Sequence, residues 1–193
     1  PAAQALPPRG QIQQQPPRGA GVPLALEREE VRSPSAASAS NILSVSSPSI
    51  ADDASIPQKH SEYFDGVSPE LKWSSVPGAK SYVLIMEDPD AKPITPFVHW
   101  VAWNIPASVT SLPEGLQEAA RLTEPEGLHQ GKTSRGTVGY LGPRPPAGDP
   151  AHRYHFQVLA LDTWLNLAPG SDRDAVRAAV RGHVLAKGRL GGQ

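Results

Sequence analysis

The sequence predicts a mainly β protein, a two-sheet antiparallel β-sandwich with one or two peripheral helices. Three observations predict it. The 193 residues include 22 Pro and 17 Gly, and both residue types disfavour long helices. Continuous apolar runs at 81–87, 97–105 and 152–162 are typical of strands covered on both faces. Most connections near these runs are too short for crossover helices, which favours antiparallel pairing.

The remaining elements are weaker in the sequence. Short strands are predicted at 41–45 and 68–76, each followed by Pro or Gly, and the stretch 107–151 reads as long and mostly irregular. One helix is predicted to begin with Ser171 as its N-cap and Asp174 at the capping-box position. Its apolar stripe continues to about Ala186, and a last strand is predicted at 187–190.

Composition divides the chain near residue 40. Residues 1–40 are rich in Pro, Ala and Gln, and no aromatic residue occurs before Tyr63. Such a segment cannot bury enough apolar surface to offset the entropy lost on ordering. We predict that 1–40 form a disordered or loosely draped extension, and that 41–193 form one domain.

Charge and cysteine content exclude several classes of function. The formal net charge is −1, so no large basic surface for nucleic acid is indicated. The absence of Cys excludes disulfides, thiolate zinc sites and cysteine nucleophiles. No apolar run is long enough for a membrane span, and we predict no cofactor.

The beginning of the chain bears on its location in the cell. The first residue is Pro, and the Ala/Pro/Gln-rich leader has no Lys before Lys59. This composition is typical of the mature end of an exported bacterial protein. We therefore expect a periplasmic or secreted protein, with a cytoplasmic location as the alternative.

Two acidic residues and one histidine are the first candidates for chemistry. Asp88 and Asp90 follow the first apolar run in the motif Asp-Pro-Asp-Ala, and His99 lies inside the second run. The two-residue period of a strand places His99 on one face with Phe97 and Val101. An imidazole there needs a partner, because an unpaired buried polar group costs about 1–3 kcal/mol.

A third feature is a stiff Pro/Gly segment, 142–148, followed by His152 and Tyr154 on one strand face. We expect Asp88, His99, His152 and Tyr154 to converge at one end of the sheet. A carboxylate beside a histidine favours the imidazolium form. Two such imidazoles and a phenol donor would form a compact site for a phosphate or carboxylate anion.

Eight short motifs follow one another between residues 67 and 192. They lie at 68–73, 87–91, 98–101, 104–106, 139–143, 152–156, 160–162 and 182–186. Each motif is weak alone, but the ordered series is specific. In this series the sequence resembles the phosphatidylethanolamine-binding protein (PEBP) family, specifically its bacterial Raf-kinase-inhibitor-like branch.

The resemblance implies a two-sheet antiparallel β domain with a small pocket for phosphate-like anions. The residues it implies for that pocket are Asp88, Asp90, His99, Gly142, Pro145, Pro146, His152 and Tyr154. In this set Pro145 and Pro146 would form the rim, Asp90 would be a supporting carboxylate, and Gly142 would let the backbone approach the ligand.

Two departures from the family pattern change the expected rim. Lys92 follows the Asp-Pro-Asp-Ala motif, where the family usually has Pro at once. Arg135, in Thr-Ser-Arg-Gly, stands where the usual motif is Asn-Ser-Phe-Gly. The first departure implies a wider or more cationic rim. The second replaces the aromatic residue that would form one wall of the pocket.

Three functions remain open from the sequence. The leading one is non-catalytic binding of a small anion or phosphoryl head group, with regulation of a protein partner as a possible consequence. The alternatives are a hydrolase-type enzyme using Asp88 and His99 as an acid–base pair, and a metal site built from Asp88, His99 and His152. The absence of a Gly-x-Ser-x-Gly elbow, and of a local ligand pair such as His-x-x-x-His, favours the first.

Overall fold

Two antiparallel sheets and one α-helix form the part of the chain that the computed structural model describes, residues 29–32, 42–92 and 96–193. The strands are β1 (Val45–Ser46), β2 (Leu71–Trp73), β3 (Ser81–Asp88), β4 (Phe97–Pro106), β5 (Ser111–Leu112), β6 (Arg121–Thr123), β7 (Glu126–Gln130), β8 (Tyr154–Leu161) and β9 (Val184–Gly192). Helix α1 spans Arg173–Val180, and a single 3₁₀ turn spans Gln58–His60.

The larger sheet has the strand order β6-β7-β4-β3-β8-β9, and the smaller has the order β1-β2-β5. Every neighbouring pair is antiparallel. All residues of β3 and β8 are buried, because other layers cover both faces of the larger sheet. The sequence prediction of a two-sheet antiparallel fold with a peripheral helix is confirmed.

The larger sheet separates two apolar cores. On one face, Leu84 and Met86 of β3 belong to a cluster with Leu71 of the smaller sheet. On the other face, Ile85 belongs to a cluster with Val176 of α1. The strand period of two therefore divides a continuous apolar run between two cores.

The helix differs from its prediction at both ends. Asp172, and not Ser171, is the N-cap, since its side chain accepts a hydrogen bond from the backbone N–H of Ala175 at 2.9 Å. The helix ends at Val180 instead of Ala186, because Gly182 adopts a left-handed conformation with φ 78°. The residues after it form β9, which is longer than the predicted strand 187–190.

The stretch 107–151 is less irregular than predicted. It contains β5, β6 and β7, and the last two form an antiparallel hairpin at one edge of the larger sheet. These strands have two to five residues, so the period-two pattern is too short to recognise in the sequence.

A β-bulge in β4 changes the side of the sheet that the His99 side chain faces. Met86 of β3 pairs with Trp100, whereas the next residue, Glu87, pairs with Val98, so His99 is the extra residue. The predicted face shared by His99 and Val101 is therefore wrong. Val101 packs toward α1, and His99 turns toward the opposite core.

Residues 29–32 lie against the domain, near α1 and β9. The backbone N–H of Arg32 donates to the carbonyl oxygen of Val184 at 2.9 Å, and Glu29 lies 3.4 Å from the Arg177 guanidinium. The rest of the predicted extension 1–40 lies outside the described residues. Within the described part of the chain, no helix is long and apolar enough to cross a membrane.

Candidate functional site

A cavity of about 180 Å³ opens at the end of the larger sheet where β3 ends and β8 begins. Seven of the eight predicted site residues line it, and Asp90 is the exception. The lining consists of Asp88, Ala91, Lys92, Phe97, His99, Arg135, Leu141, Gly142, Arg144, Pro145, Pro146, Asp149, His152 and Tyr154. The predicted convergence of Asp88, His99, His152 and Tyr154 is therefore found in the structure.

Asp88 organises one wall of the cavity. It is the last residue of β3, and its Oδ1 accepts hydrogen bonds from the backbone N–H groups of Asp90 at 2.8 Å and Ala91 at 3.1 Å. Its Oδ2 accepts from Nδ1 of His152 at 2.7 Å. Because a carboxylate only accepts, Nδ1 of His152 carries a proton and Nε2 is the nitrogen left for other partners. Nε2 lies 3.7 Å from Oδ2 of Asp149.

His99 has a different partner and a different charge from the one expected. Its Nδ1 lies 2.7 Å from the carbonyl oxygen of Leu141, so Nδ1–H donates to that oxygen. Burial lowers the pKa of His99 below its usual value of 6.5, against the smaller opposing effects of the Leu141 carbonyl and of Asp88. The expectation of two imidazolium groups is thus wrong for His99, which is mainly neutral at pH 7. Its Nε2 then carries a lone pair and accepts hydrogen bonds.

Tyr154 supplies a phenol beside both histidines. Its ring meets that of His99 edge-on, with 5.3 Å between centroids, and stacks on that of His152 at 6.4 Å. Burial, together with the charges of Asp88 and Asp90, raises the pKa of Tyr154 well above its usual value of 10. The hydroxyl therefore stays protonated and can donate a hydrogen bond.

Three cationic side chains line the rim, namely those of Lys92, Arg135 and Arg144. The Arg135 guanidinium donates to Oε2 of Glu62 at 2.6 Å, which holds it at the cavity. The Arg144 guanidinium lies 5.6 Å from the ring centroid of Tyr63. The rim is thus cationic, as the departure at Lys92 implied. Arg135 lines it at the position where the usual Asn-Ser-Phe-Gly motif has an aromatic residue.

The Pro-rich rim is fixed by the segment that follows the 3₁₀ turn. The Tyr63 hydroxyl donates to the carbonyl oxygen of Pro145 at 2.7 Å. A Cβ on Gly142 would lie 2.5 Å from the carbonyl oxygen of His60 and 2.8 Å from the backbone nitrogen of Glu62. Gly142 is therefore needed because another part of the chain passes close to it. Its expected role in approach to a ligand stays a prediction.

Asp90 lies outside the cavity and binds Arg153, the residue between His152 and Tyr154. Its Oδ2 accepts from the backbone N–H of Arg153 at 2.9 Å and from the Arg153 Nε at 3.2 Å. Burial raises the pKa of Asp90, but the hydrogen bonds and charge of Arg153 outweigh that effect and the pKa is lowered overall. Asp90 lines an adjoining cavity of about 390 Å³, which shares Lys92, Asp149 and His152 with the first.

The arrangement also bears on the two alternative chemistries. The carboxylate of Asp88 pairs with His152, so the acid–base pair predicted between Asp88 and His99 is not the one formed. Within residues 29–32, 42–92 and 96–193, no three His, Cys, Asp or Glu side chains are grouped to hold a metal ion.

Two carboxylates near the cavity escaped the sequence analysis. Asp149 faces His152, and Glu62 holds Arg135. Asp149 follows Gly148 and precedes Pro150, a composition that indicates a turn and gives no sign of a ligand contact. Glu62 lies in a polar stretch 73 positions before Arg135, so only the folded chain reveals the pair.

The family model of the phosphatidylethanolamine-binding protein matches residues 46–193, which include the larger sheet, the smaller sheet except Val45, and the whole cavity lining. This chain belongs to the PEBP family. The resemblance found in the sequence is confirmed.

Individual relatives agree with the PEBP assignment. A UPF0098 protein of Methanothermobacter thermautotrophicus is 46% identical over 140 residues, which is 72% of this chain and 89% of that protein. The "Putative lipoprotein LppC" of Mycobacterium tuberculosis is 36% identical over 156 residues, covering 81% of this chain and 74% of that one. Among solved structures, Escherichia coli YbcL, a member of the mammalian PEBP family, has a TM-score of 0.72 and 30% identity, covering 78% of this chain and 96% of its own.

Proposed function

We propose that this PEBP-family protein binds a small anion, specifically a phosphoryl group, in the cavity between Asp88 and Tyr154, without catalysing a reaction on it. The single observation that carries this proposal is the Asp88–His152 pair under a rim of three cations. The carboxylate holds the imidazole by Nδ1, so the imidazolium form presents Nε2–H to the cavity. Charge-assisted hydrogen bonds of this kind are among the strongest that proteins make to phosphate.

Size and charge both support a small anion. A volume of about 180 Å³ corresponds to roughly six water molecules, so it holds a phosphoryl group with part of the group that carries it, and the rest of a larger ligand would extend past the rim or into the adjoining cavity. Lys92, Arg135 and Arg144 attract negative charge to the opening, and the hydroxyl of Tyr154, which also lines the cavity, adds a neutral donor. Free phosphate and a phosphorylated head group share this chemistry.

Non-catalytic binding is favoured by the set of groups that surround the cavity. For covalent catalysis of the Ser–His type, Asp88 and His152 would need a hydroxyl or thiol nucleophile beside them, and the lining residues include no Ser, Thr or Cys. A panel of phosphoesters and acyl esters tests this part of the proposal. Turnover that disappears in His152→Ala would establish an enzyme and overturn it.

The experiment that tests binding is thermal unfolding with phosphate or phosphoethanolamine in separate titrations. Both should raise the Tm of the wild type, and neither should raise the Tm of His152→Ala. His183→Ala is the matched control, because Nδ1 of His183 also bonds an aspartate, Asp162, at 2.8 Å and lines neither cavity. A Tm increase that persists in His152→Ala would show that the anion binds elsewhere.

We extend the proposal to regulation of a protein partner, which the resemblance to the Raf-kinase-inhibitor-like branch implies. Tyr63 and Phe64 are 54% and 58% exposed and lie on the segment that holds the rim. Exposed aromatic residues beside an Arg are frequent at protein interfaces. Binding to an array of phosphopeptides should be lost in both His152→Ala and Phe64→Ser. Binding that survives the Phe64 substitution would exclude this surface.

We infer an exported location, periplasmic or secreted. Support comes from the Pro/Ala/Gln-rich leader and from the lipoprotein name of the M. tuberculosis relative. Immunodetection in fractions of the source cells tests the inference. Recovery with cytoplasmic markers alone would establish the alternative.

A further inference from the structure

We propose that the site selects a phosphoryl group that keeps a proton, such as hydrogen phosphate or the monoanion of a phosphomonoester, over the fully ionised sulfate ion. Asp149 is the residue that determines this selectivity. The inference rests on the proposed function, because it concerns which anion the same cavity holds.

The geometry around His152 carries the inference. Its Nδ1–H is committed to Asp88, so Nε2 is the nitrogen that meets a ligand oxygen, and in the imidazolium form it donates Nε2–H to that oxygen. Oδ2 of Asp149 lies 3.7 Å from that Nε2, beyond hydrogen-bond distance, and lines the same cavity. Two atoms at this separation can both lie about 2.8 Å from a single ligand oxygen.

That ligand oxygen must therefore satisfy a donor and an acceptor together. A P–OH oxygen accepts from His152 and donates its own proton to Asp149, so both protein groups are satisfied. A sulfate oxygen has no proton at neutral pH, so it faces the Asp149 carboxylate with lone pair against lone pair. The mismatch costs a hydrogen bond and adds repulsion between like charges.

His99, which also lines the cavity, offers a second acceptor. His99 uses Nδ1–H for the carbonyl oxygen of Leu141, so its Nε2 carries a lone pair when the ring is neutral. Burial disfavours the charged form of His99 and lowers its pKa, which keeps that lone pair available at pH 7. The cavity thus combines donors with two acceptors, a pattern that matches a protonated phosphoryl group.

The rim cations provide attraction without this selectivity. Lys92, Arg135 and Arg144 present only donors, so they favour phosphate and sulfate alike. Asp149 is held in place by its backbone, since its N–H donates to the carbonyl oxygen of Pro146 at 3.2 Å. Its side chain is 36% exposed, so a substitution there leaves the core intact.

The test is isothermal titration of the full chain at pH 7 with inorganic phosphate and, separately, with sulfate. For the wild type we expect phosphate to bind at least about tenfold more tightly, because a site built around a ligand hydroxyl rejects an analogue without it. In Asp149→Asn the amide can donate to sulfate, and the preference should fall to about twofold or less, mainly through tighter sulfate binding.

A matched control separates selectivity from net charge. Glu126→Gln makes the same change of charge at an exposed residue that lines neither cavity, and it should keep the wild-type preference. Equal binding of the two anions by the wild type, or a tenfold preference retained in Asp149→Asn, would overturn the inference while leaving anion binding in place. Failure of both anions to bind any folded variant would overturn the proposed function itself.

Discussion

A buried ion pair beneath the site offers a direct test of how the fold holds Asp88 in place. Nη1 of Arg173, at the start of α1, lies 3.1 Å from Oε1 of Glu87, the residue before Asp88 in β3. The Glu87 side chain is fully buried and that of Arg173 is 11% exposed. The same guanidinium also donates to the carbonyl oxygen of Pro96 at 3.1 Å, so it ties the helix to the entry of β4.

The magnitude follows from this burial. At an effective dielectric constant of about 20, two unit charges 3.1 Å apart attract by about 5 kcal/mol. Arg173→Ala removes that attraction and leaves the buried Glu87 carboxylate without its arginine. Breaking a buried pair on one side usually costs about 3–5 kcal/mol. We expect the free energy of unfolding to fall by about that amount, and the Tm to fall by roughly 10 °C.

Urea unfolding, followed by circular dichroism, measures this loss. The double variant Glu87→Gln/Arg173→Met removes both charges and keeps side-chain volume, so it should lose only about 1 kcal/mol. Lys59→Ala provides an exposed control, since Lys59 and Glu114 form an ion pair in which both side chains are at least 40% exposed. A loss below about 1 kcal/mol in Arg173→Ala, or an equal loss in the double variant, would refute the reasoning.

Three further predictions concern single residues. Because burial lowers the pKa of His99, the unfolded chain takes up the proton first as pH falls below 6.5, and the free energy of unfolding decreases. An NMR titration of His99 should have its midpoint below pH 6.5. A midpoint at or above that value would contradict the burial argument. Gly142→Ala should destabilise the protein by about 2–3 kcal/mol in urea unfolding, because the new Cβ meets a backbone oxygen at 2.5 Å. Gly127→Ala, with a left-handed backbone but open space around the Cβ, should cost about 1 kcal/mol. Equal losses in the two variants would show that the contact of the Cβ with the backbone oxygen is unimportant. Asp172→Ala should lower the free energy of unfolding by about 1 kcal/mol because it removes the helix N-cap. Ser171→Ala should change it by less than about 0.5 kcal/mol. A larger loss in Ser171→Ala than in Asp172→Ala would restore Ser171 as the cap.

The fold class and the site were predictable because they depend on long patterns. The apolar runs that became β3, β4 and β8 are long enough to identify buried strands, and their antiparallel order brings Asp88 and Tyr154 to one end of the sheet. The resemblance to PEBP proteins then supplied the rim residues. Both inferences use information spread over many positions, so no single local choice decides them.

The features that the sequence did not predict depend on tertiary contacts. The bulge at His99 is a matter of register between β3 and β4, and nothing in the residues of β4 alone marks it. Ser171 and Asp172 can each cap a helix, so only the folded backbone decides between them. Asp149 comes close to the cavity histidine only because its turn lies against His152.

The extra residue in β4 also joins the strand to the wall of the cavity. Leu141 donates its backbone N–H to the carbonyl oxygen of His99 at 2.8 Å and accepts from the ring of the same residue at 2.7 Å. Any motion that widens the cavity at Leu141 must therefore break a bond to the central sheet. Hydrogen exchange at the Leu141 amide should consequently be as slow as in the strands, and the cavity should keep its width when it is empty.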